Sequence, residues 1–282
     1  MGKILLGKDV TASINERLTR EVLELKEQGK KVTLGIVRVG ENPSDLAYER
    51  GAIKRAETVG IDVKHYVYEE DITTEQVVIE IEKINEDPNV DGVLIFRPLP
   101  KHIDDDAVRN ALNPSKDIDG ISDISMAGVY SGKPLGYPPC TAEAAMEILK
   151  FYDVGLTGKK VAVIGRSLVI GRPVAMMLMQ ANATVTICHT KTKNLSEITR
   201  DADIIIAAAG QAKGVKADHC KAGQVIIDVG INFDEDGKMC GDVDFDSVSE
   251  IVSAITPVPG GVGGVTTGIL MSNTLEAAKG NK

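Results

Sequence analysis

The feature that most constrains this chain is the alternation of helix-period and strand-type segments along nearly its whole length. Residues 9–27 carry apolar side chains at helical spacing (Val10, Ile14, Leu18, Val22, Leu25) and close at Gly29. Residues 31–39 form a short β-branched apolar run, as a buried strand does. The same reading predicts helices over 43–59 and 73–84 and strands over 62–68 and 90–96. Strands separated by helices of this length pair in parallel through right-handed crossovers. Residues 97–137, rich in Pro, Asp and Gly, interrupt the rhythm and mark the edge of a cleft. A helix over 142–151 then opens a second series, with strands over 160–164, 184–188, 203–207, 224–229 and 251–255 and a last helix over 265–278. Two α/β domains, joined near residues 140–150, are expected.

Composition narrows the partners. A net charge of −9 argues against nucleic acid or a membrane surface as the main partner, because both need net or clustered positive charge. It leaves room for an anionic small molecule. No apolar run approaches the roughly 18 residues of a membrane span, and the opening MGKILLGKDV has too short an apolar stretch for a signal peptide. Cys140, Cys188, Cys220 and Cys240 show no metal-ligand spacing and read as reduced thiols of a cytoplasmic protein. His65, His102, His189 and His219 are not arranged as ligands, and Asp104 to Asp106 read as helix-start carboxylates, so no metal is expected.

The strongest local signal is KKVAVIGRSLVIGRPVAMMLM. A strand ends at Gly165, the chain turns through Arg166 and Ser167, and a helix begins near Gly171. Such a unit points backbone N–H groups and a positive helix terminus at a phosphate. The spacing departs from G-x-G-x-x-G, since Ser167 replaces the second glycine and Gly171 falls one place late. The next strand ends in His189, Thr190 and Lys191, without the acid that holds a ribose 2′-hydroxyl in NAD sites. Arg166 with Thr190 or Lys191 suits a 2′-phosphate instead, which predicts NADP.

VGENPSDLAYERGAIKRAETVGI, DGVLIFRPLPKHID, PSKDIDGISDISMAG, PPCTAEAAMEIL, GRSLVIGRP, GQVIIDVGIN, GDVDF and TPVPGGVGG together resemble, in order and spacing, the FolD-type methylenetetrahydrofolate dehydrogenase/cyclohydrolase family. The resemblance covers essentially the whole chain. It implies two α/β domains: an N-terminal folate-binding domain over 1–140, joined by the C-terminal helix from about 265 to 282, and a Rossmann-type NADP-binding domain over 141–264. It also implies a cleft between them for folate, and a homodimer. Tyr48 and Asp119 are the expected catalytic and substrate-binding residues, with Pro259, Gly260 and Gly263 beside the folate. The expected cofactor residues are Thr141, Gly165, Arg166, Ser167, Val169, Thr190, Ala208, Ile231, Gly263 and Thr266. Thr266, at the predicted start of the last helix, is read as an N-cap, a nicotinamide-side ligand, or both.

The chain also departs from the family pattern. In the family's S-x-x-Y-x-x-x-K helix, Tyr48 keeps the tyrosine, while Asp45 and Ala52 stand at the serine and lysine positions. Phe96 replaces the glutamine of V-Q-L-P-L-P, and Gly264 and Val265 replace the proline and methionine after TPVPGGVG. Removing hydride from a methylene bridge leaves a cation that the neighbouring nitrogen stabilises, so the protein chiefly has to position the reactants. Hydrolysing that cation needs a tuned acid–base group, worth roughly 10²–10⁴-fold. The departures therefore predict an NADP-dependent dehydrogenase with lost or weak cyclohydrolase activity. The alternatives are a fully bifunctional enzyme or a non-catalytic nucleotide-binding homologue. A shikimate- or amino-acid-type dehydrogenase would have no reason to carry TPVPGGVG or Tyr48.

Overall fold

The computed structural model describes residues 2–280. The elements run β1 (Lys3–Ile4), α1 (Gly7–Glu27), β2 (Thr33–Val39), α2 (Pro43–Val59), β3 (Asp62–Tyr68), α3 (Thr74–Glu86) and β4 (Gly92–Ile95). Next come α4 (Asp105–Ala111), α5 (Asp123–Ser131), α6 (Cys140–Phe151), β5 (Lys160–Ile164), α7 (Gly171–Gln180) and β6 (Thr184–Cys188). The chain finishes with α8 (Leu195–Asp201), β7 (Ile204–Ala207), β8 (Val225–Asp228), β9 (Asn232–Phe233), β10 (Met239–Cys240), α9 (Phe245–Val248), β11 (Ala254–Ile255) and α10 (Val262–Lys279).

Two compact units divide these elements, the boundaries falling inside α1, after the first residue of α6 and inside α10. Among the described residues, one consists of 2–12 with Thr141–Thr266, the other of Ser13–Cys140 with 267–280. The first contains a six-stranded parallel sheet in the order β1-β11-β8-β7-β5-β6. The second contains a three-stranded parallel sheet in the order β3-β2-β4. The opening residues differ from the expected boundary at 1–140. Lys3 lies opposite Ala254 and Ile4 opposite Ile255, so ladder hydrogen bonds tie β1 to the larger sheet. A two-residue strand has no period for a sequence reading to detect.

Each unit has its own aliphatic core. In the smaller-sheet unit, Val37, Val39, Ile81, Ile84, Val93 and Ile95 are buried together between the sheet and α3. In the larger-sheet unit, Ile164, Ile205, Ile226, Val248 and Ile255 form the equivalent cluster. Burying one such side chain contributes about 1.5–3 kcal/mol.

Candidate active site

In the smaller-sheet unit the site begins with the helix that carries Tyr48. The Asn42 side chain accepts the Ser44 N–H at 3.0 Å, Pro43 starts α2, and Gly60 ends it in the left-handed region at φ 81°. The Tyr48 ring meets Phe96 edge-on, with centroids 5.9 Å apart and planes at 83°. Phe96 lies just beyond β4, where its N–H extends the ladder by donating to the Val37 carbonyl at 2.9 Å.

Asp119 reaches the same place from a tightly held turn. The neighbouring Asp117 carboxylate is buried and accepts the Ile121 and Ser122 N–H groups at 2.9 and 2.8 Å and the Ser125 hydroxyl at 2.6 Å. Gly120 sits at φ 63°, where a Cβ would meet the Tyr137 carbonyl oxygen at 2.4 Å, so only glycine fits. Asp117 is thus the structural acid of the D-x-D-G element. Burial pushes the Asp119 carboxyl up to about 6, against hydrogen bonds from the Cys140 thiol and N–H and the charge of Arg97. Tyr48 keeps 36% of its surface exposed. Burial of the rest, and then the nearby Asp119, raise its phenol well above the ordinary value. Tyr48, Phe96 and Asp119 therefore come together.

Ala52, one turn beyond Tyr48 on α2, is fully buried and offers no proton-transferring group. Arg97 does not stand in for the missing lysine. Its Nε donates to Asp105 Oδ1 at 2.6 Å and its Nη2 pairs with Asp105 Oδ2, a bidentate ion pair. Asp104 caps α4 by accepting the Asp106 and Ala107 N–H groups, as its place in the sequence suggests. One charged cluster had no sequence signal. Arg38 and Glu49, both buried, pair at 3.0 Å, and Glu49 Oε1 lies 2.9 Å from His65 Nδ1.

In the larger-sheet unit, Gly165, Arg166, Ser167 and Val169 follow β5, Thr190 follows β6, Ala208 follows β7 and Ile231 follows β8, all at the carboxyl ends of the strands. β6 lies on one side of β5 and β7 on the other, so strand order reverses there, the usual ligand crevice of such sheets. Gly165 follows β5 at φ 127°, and a Cβ there would lie 2.1 Å from the Ala208 carbonyl oxygen. A Cβ on Gly171 would lie 2.2 Å from the Gly165 carbonyl oxygen. These glycines draw the turn, the start of α7 and the segment after β7 into contact. The Ser167 hydroxyl accepts the Ile170 N–H at 3.1 Å, and no side chain caps α7, which leaves its terminus to a ligand.

Arg166, Val169, Thr190 and Lys191 are exposed around this turn, and Ile231 is exposed after β8. Gly263, where a Cβ would lie 3.9 Å from Ile231 Cδ1, adjoins that last residue. Thr141 is half-buried in the first turn of α6. Pro259 and Gly260 stand exposed before α10 and belong to this unit. Thr266 departs from the cap reading. The helix begins at Val262, so Thr266 lies in its second turn and donates back to the Val262 carbonyl at 3.3 Å. The glycines at 263 and 264 concealed that earlier start. The crevice fits NADP: glycine turns allow close approach, the helix terminus is uncapped, Arg166 and Lys191 are exposed cations, and no acid follows β6.

Comparison with known proteins agrees with this division of labour. Residues 5–119 match the catalytic-domain model of tetrahydrofolate dehydrogenase/cyclohydrolase, and residues 139–282 match its NAD(P)-binding-domain model. The chain is 50% identical over 278 residues to the bifunctional protein FolD of Clostridioides difficile, covering 99% of this chain and 97% of that one. It superposes with a TM-score of 0.97 on the bifunctional FolD enzyme of Campylobacter jejuni, at 41% identity and with both chains fully covered. The Trypanosoma brucei dehydrogenase–cyclohydrolase, solved with NADP cofactor and inhibitor, superposes at 0.92 with 33% identity, over 99% of this chain and 98% of that one. Matched across both units by model, sequence and fold, this chain belongs to the tetrahydrofolate dehydrogenase/cyclohydrolase family.

Proposed function

We propose that the chain oxidises 5,10-methylenetetrahydrofolate to 5,10-methenyltetrahydrofolate with NADP as acceptor. The observation that carries this reading is the convergence of Tyr48 and Asp119 at one locus of a family member whose other unit bears an uncapped, glycine-lined nucleotide turn. Asp119, with a carboxyl near 6, is ionised at neutral pH and accepts paired hydrogen bonds from the amino and amide edge of the pterin. Tyr48, in a T-shaped pair with Phe96, supplies a firm wall for the folate. Gly165, Ser167 and the first turn of α7 hold the pyrophosphate, and Arg166 with Lys191 holds the 2′-phosphate. Bound NADP would supply the hydride acceptor. No side chain has to take a proton in this step, so orientation and exclusion of water suffice.

The relatives named above as bifunctional favour a chain that also hydrolyses the methenyl product. A second reading, a dehydrogenase with lost or weak hydrolysis, rests on Ala52 and Phe96, which stand where the family pattern has lysine and glutamine. Absorbance at 340 nm tests the dehydrogenase: methylenetetrahydrofolate with NADP⁺ yields NADPH, and its absence refutes the proposal. Added methenyltetrahydrofolate separates the two readings. Decay that keeps pace with NADPH formation supports bifunctionality, and persistence at or near the spontaneous rate supports the second reading.

A further inference from the structure

The GDVDF segment contributes to the family resemblance but has no part in the site described so far. Its acid Asp242 is fully buried beyond β10. Oδ2 accepts the Ala209 and Gly210 N–H groups at 2.5 and 3.0 Å, and Oδ1 accepts the Gln211 N–H at 2.8 Å and the Asn232 side-chain amide at 2.9 Å. An ionised carboxylate has about four acceptor positions, and here the chain itself fills them. Asp242 therefore organises loops and leaves no acceptor for a ligand.

A second buried acid holds the first in place. Asp228 Oδ1 accepts the N–H groups of Gly230 and Asp242 at 3.1 and 3.0 Å, and Oδ2 accepts that of Val243 at 2.9 Å. The Asp228 N–H donates to the Thr256 hydroxyl at 2.7 Å, at the start of the TPVPGG segment. The two glycines flanking the pair are required by it. A Cβ on Gly241 would lie 1.9 Å from Asp228 Oδ2, and one on Gly230 would lie 2.3 Å from Asp242 Oδ1.

The loops joined in this way are those after β7 and β8, which carry Ala208 and Ile231. We propose that Asp242 is a positioning residue for NADP: by gathering the N–H groups of residues 209–211 and the amide of Asn232, it fixes the two strand-end loops against which the nucleotide binds. This rests on the cofactor reading above. Three successive N–H groups drawn onto one carboxylate leave the loop a single conformation, and without that anion they would turn elsewhere.

Fluorescence titration of NADPH into the full chain tests the idea, with thermal unfolding of the same samples measured in parallel. Asp242→Asn keeps the shape but turns an N–H₂ toward backbone donors, so the NADPH Kd is expected to rise about tenfold or more. Asn232→Ala removes one of the four donors and is expected to raise the Kd about two- to threefold, which keeps the proposal testable should the first variant not fold. Tetrahydrofolate affinity is expected to stay at the wild-type value in both. Wild-type NADPH affinity in both variants, or in Asn232→Ala where only that one folds, overturns the proposal, whatever the change in Tm. A wild-type chain that binds no NADPH overturns the cofactor reading and this proposal with it.

Discussion

At the scale of single residues, environment decides what each acid does. Asp117 and Asp119 are two positions apart, yet one is consumed by the turn that holds it while the other faces Tyr48. Because burial lifts the Asp119 carboxyl to about 6, it loses its negative charge as pH falls through that value. Folate binding through an ionised carboxylate should weaken in step. KM for methylenetetrahydrofolate is expected to rise below about pH 6, and Asp119→Asn is expected to raise KM at pH 7.5 while flattening that dependence. Steady-state kinetics across pH 5 to 8 check this, and a variant that keeps the wild-type profile would place the titration elsewhere. Ala52 and Phe96 can be tested by restoration. On the reading of lost or weak hydrolysis, the double change Ala52→Lys with Phe96→Gln is expected to increase methenyl hydrolysis toward the roughly 10²–10⁴-fold that an acid–base group supplies, and an unchanged rate contradicts that reading.

At the scale of elements, α2 is fixed at both ends by caps and along its buried face by the Arg38–Glu49 pair. Removing one partner of such a pair leaves a buried charge uncompensated. Glu49→Ala is expected to destabilise by about 3–5 kcal/mol in urea unfolding, while Arg38→Leu with Glu49→Leu is expected to stay near wild type. Equal losses in both variants would show that the pair holds α2 by packing rather than by charge. The nucleotide turn makes a separate prediction. Arg166→Ala is expected to lower kcat/KM for NADP⁺ more than for NAD⁺, since only the former carries the 2′-phosphate. An equal fall with both would remove Arg166 from that contact.

At the scale of the whole molecule, what could be read from the sequence follows from the range of the signal. Periodicity and β-branched runs showed the long strands β2, β3 and β5, because each carries its pattern within five to seven residues. β11 falls within the strand expected over 251–255, whereas the two-residue β1 exists by pairing with β11, which no local pattern announces. The Gly165 turn was legible from its strand–glycine–helix pattern, whereas Tyr48 and Asp119 were singled out by the family resemblance. Asp242 was not, because its role lies in donors up to 33 positions away. The Arg38–Glu49–His65 cluster was hidden for the same reason: the sheet brings β2 and β3 beside α2, whereas the sequence shows only scattered charges.

The most direct test follows the transferred hydrogen. Methylenetetrahydrofolate carrying two deuterium atoms on its bridging carbon is incubated with NADP⁺ and the purified chain, and the reduced nucleotide is analysed by mass spectrometry. Oxidation at that carbon predicts NADPH one mass unit heavier, with one deuterium retained in the methenyl product. Unlabelled NADPH, or none, would contradict it.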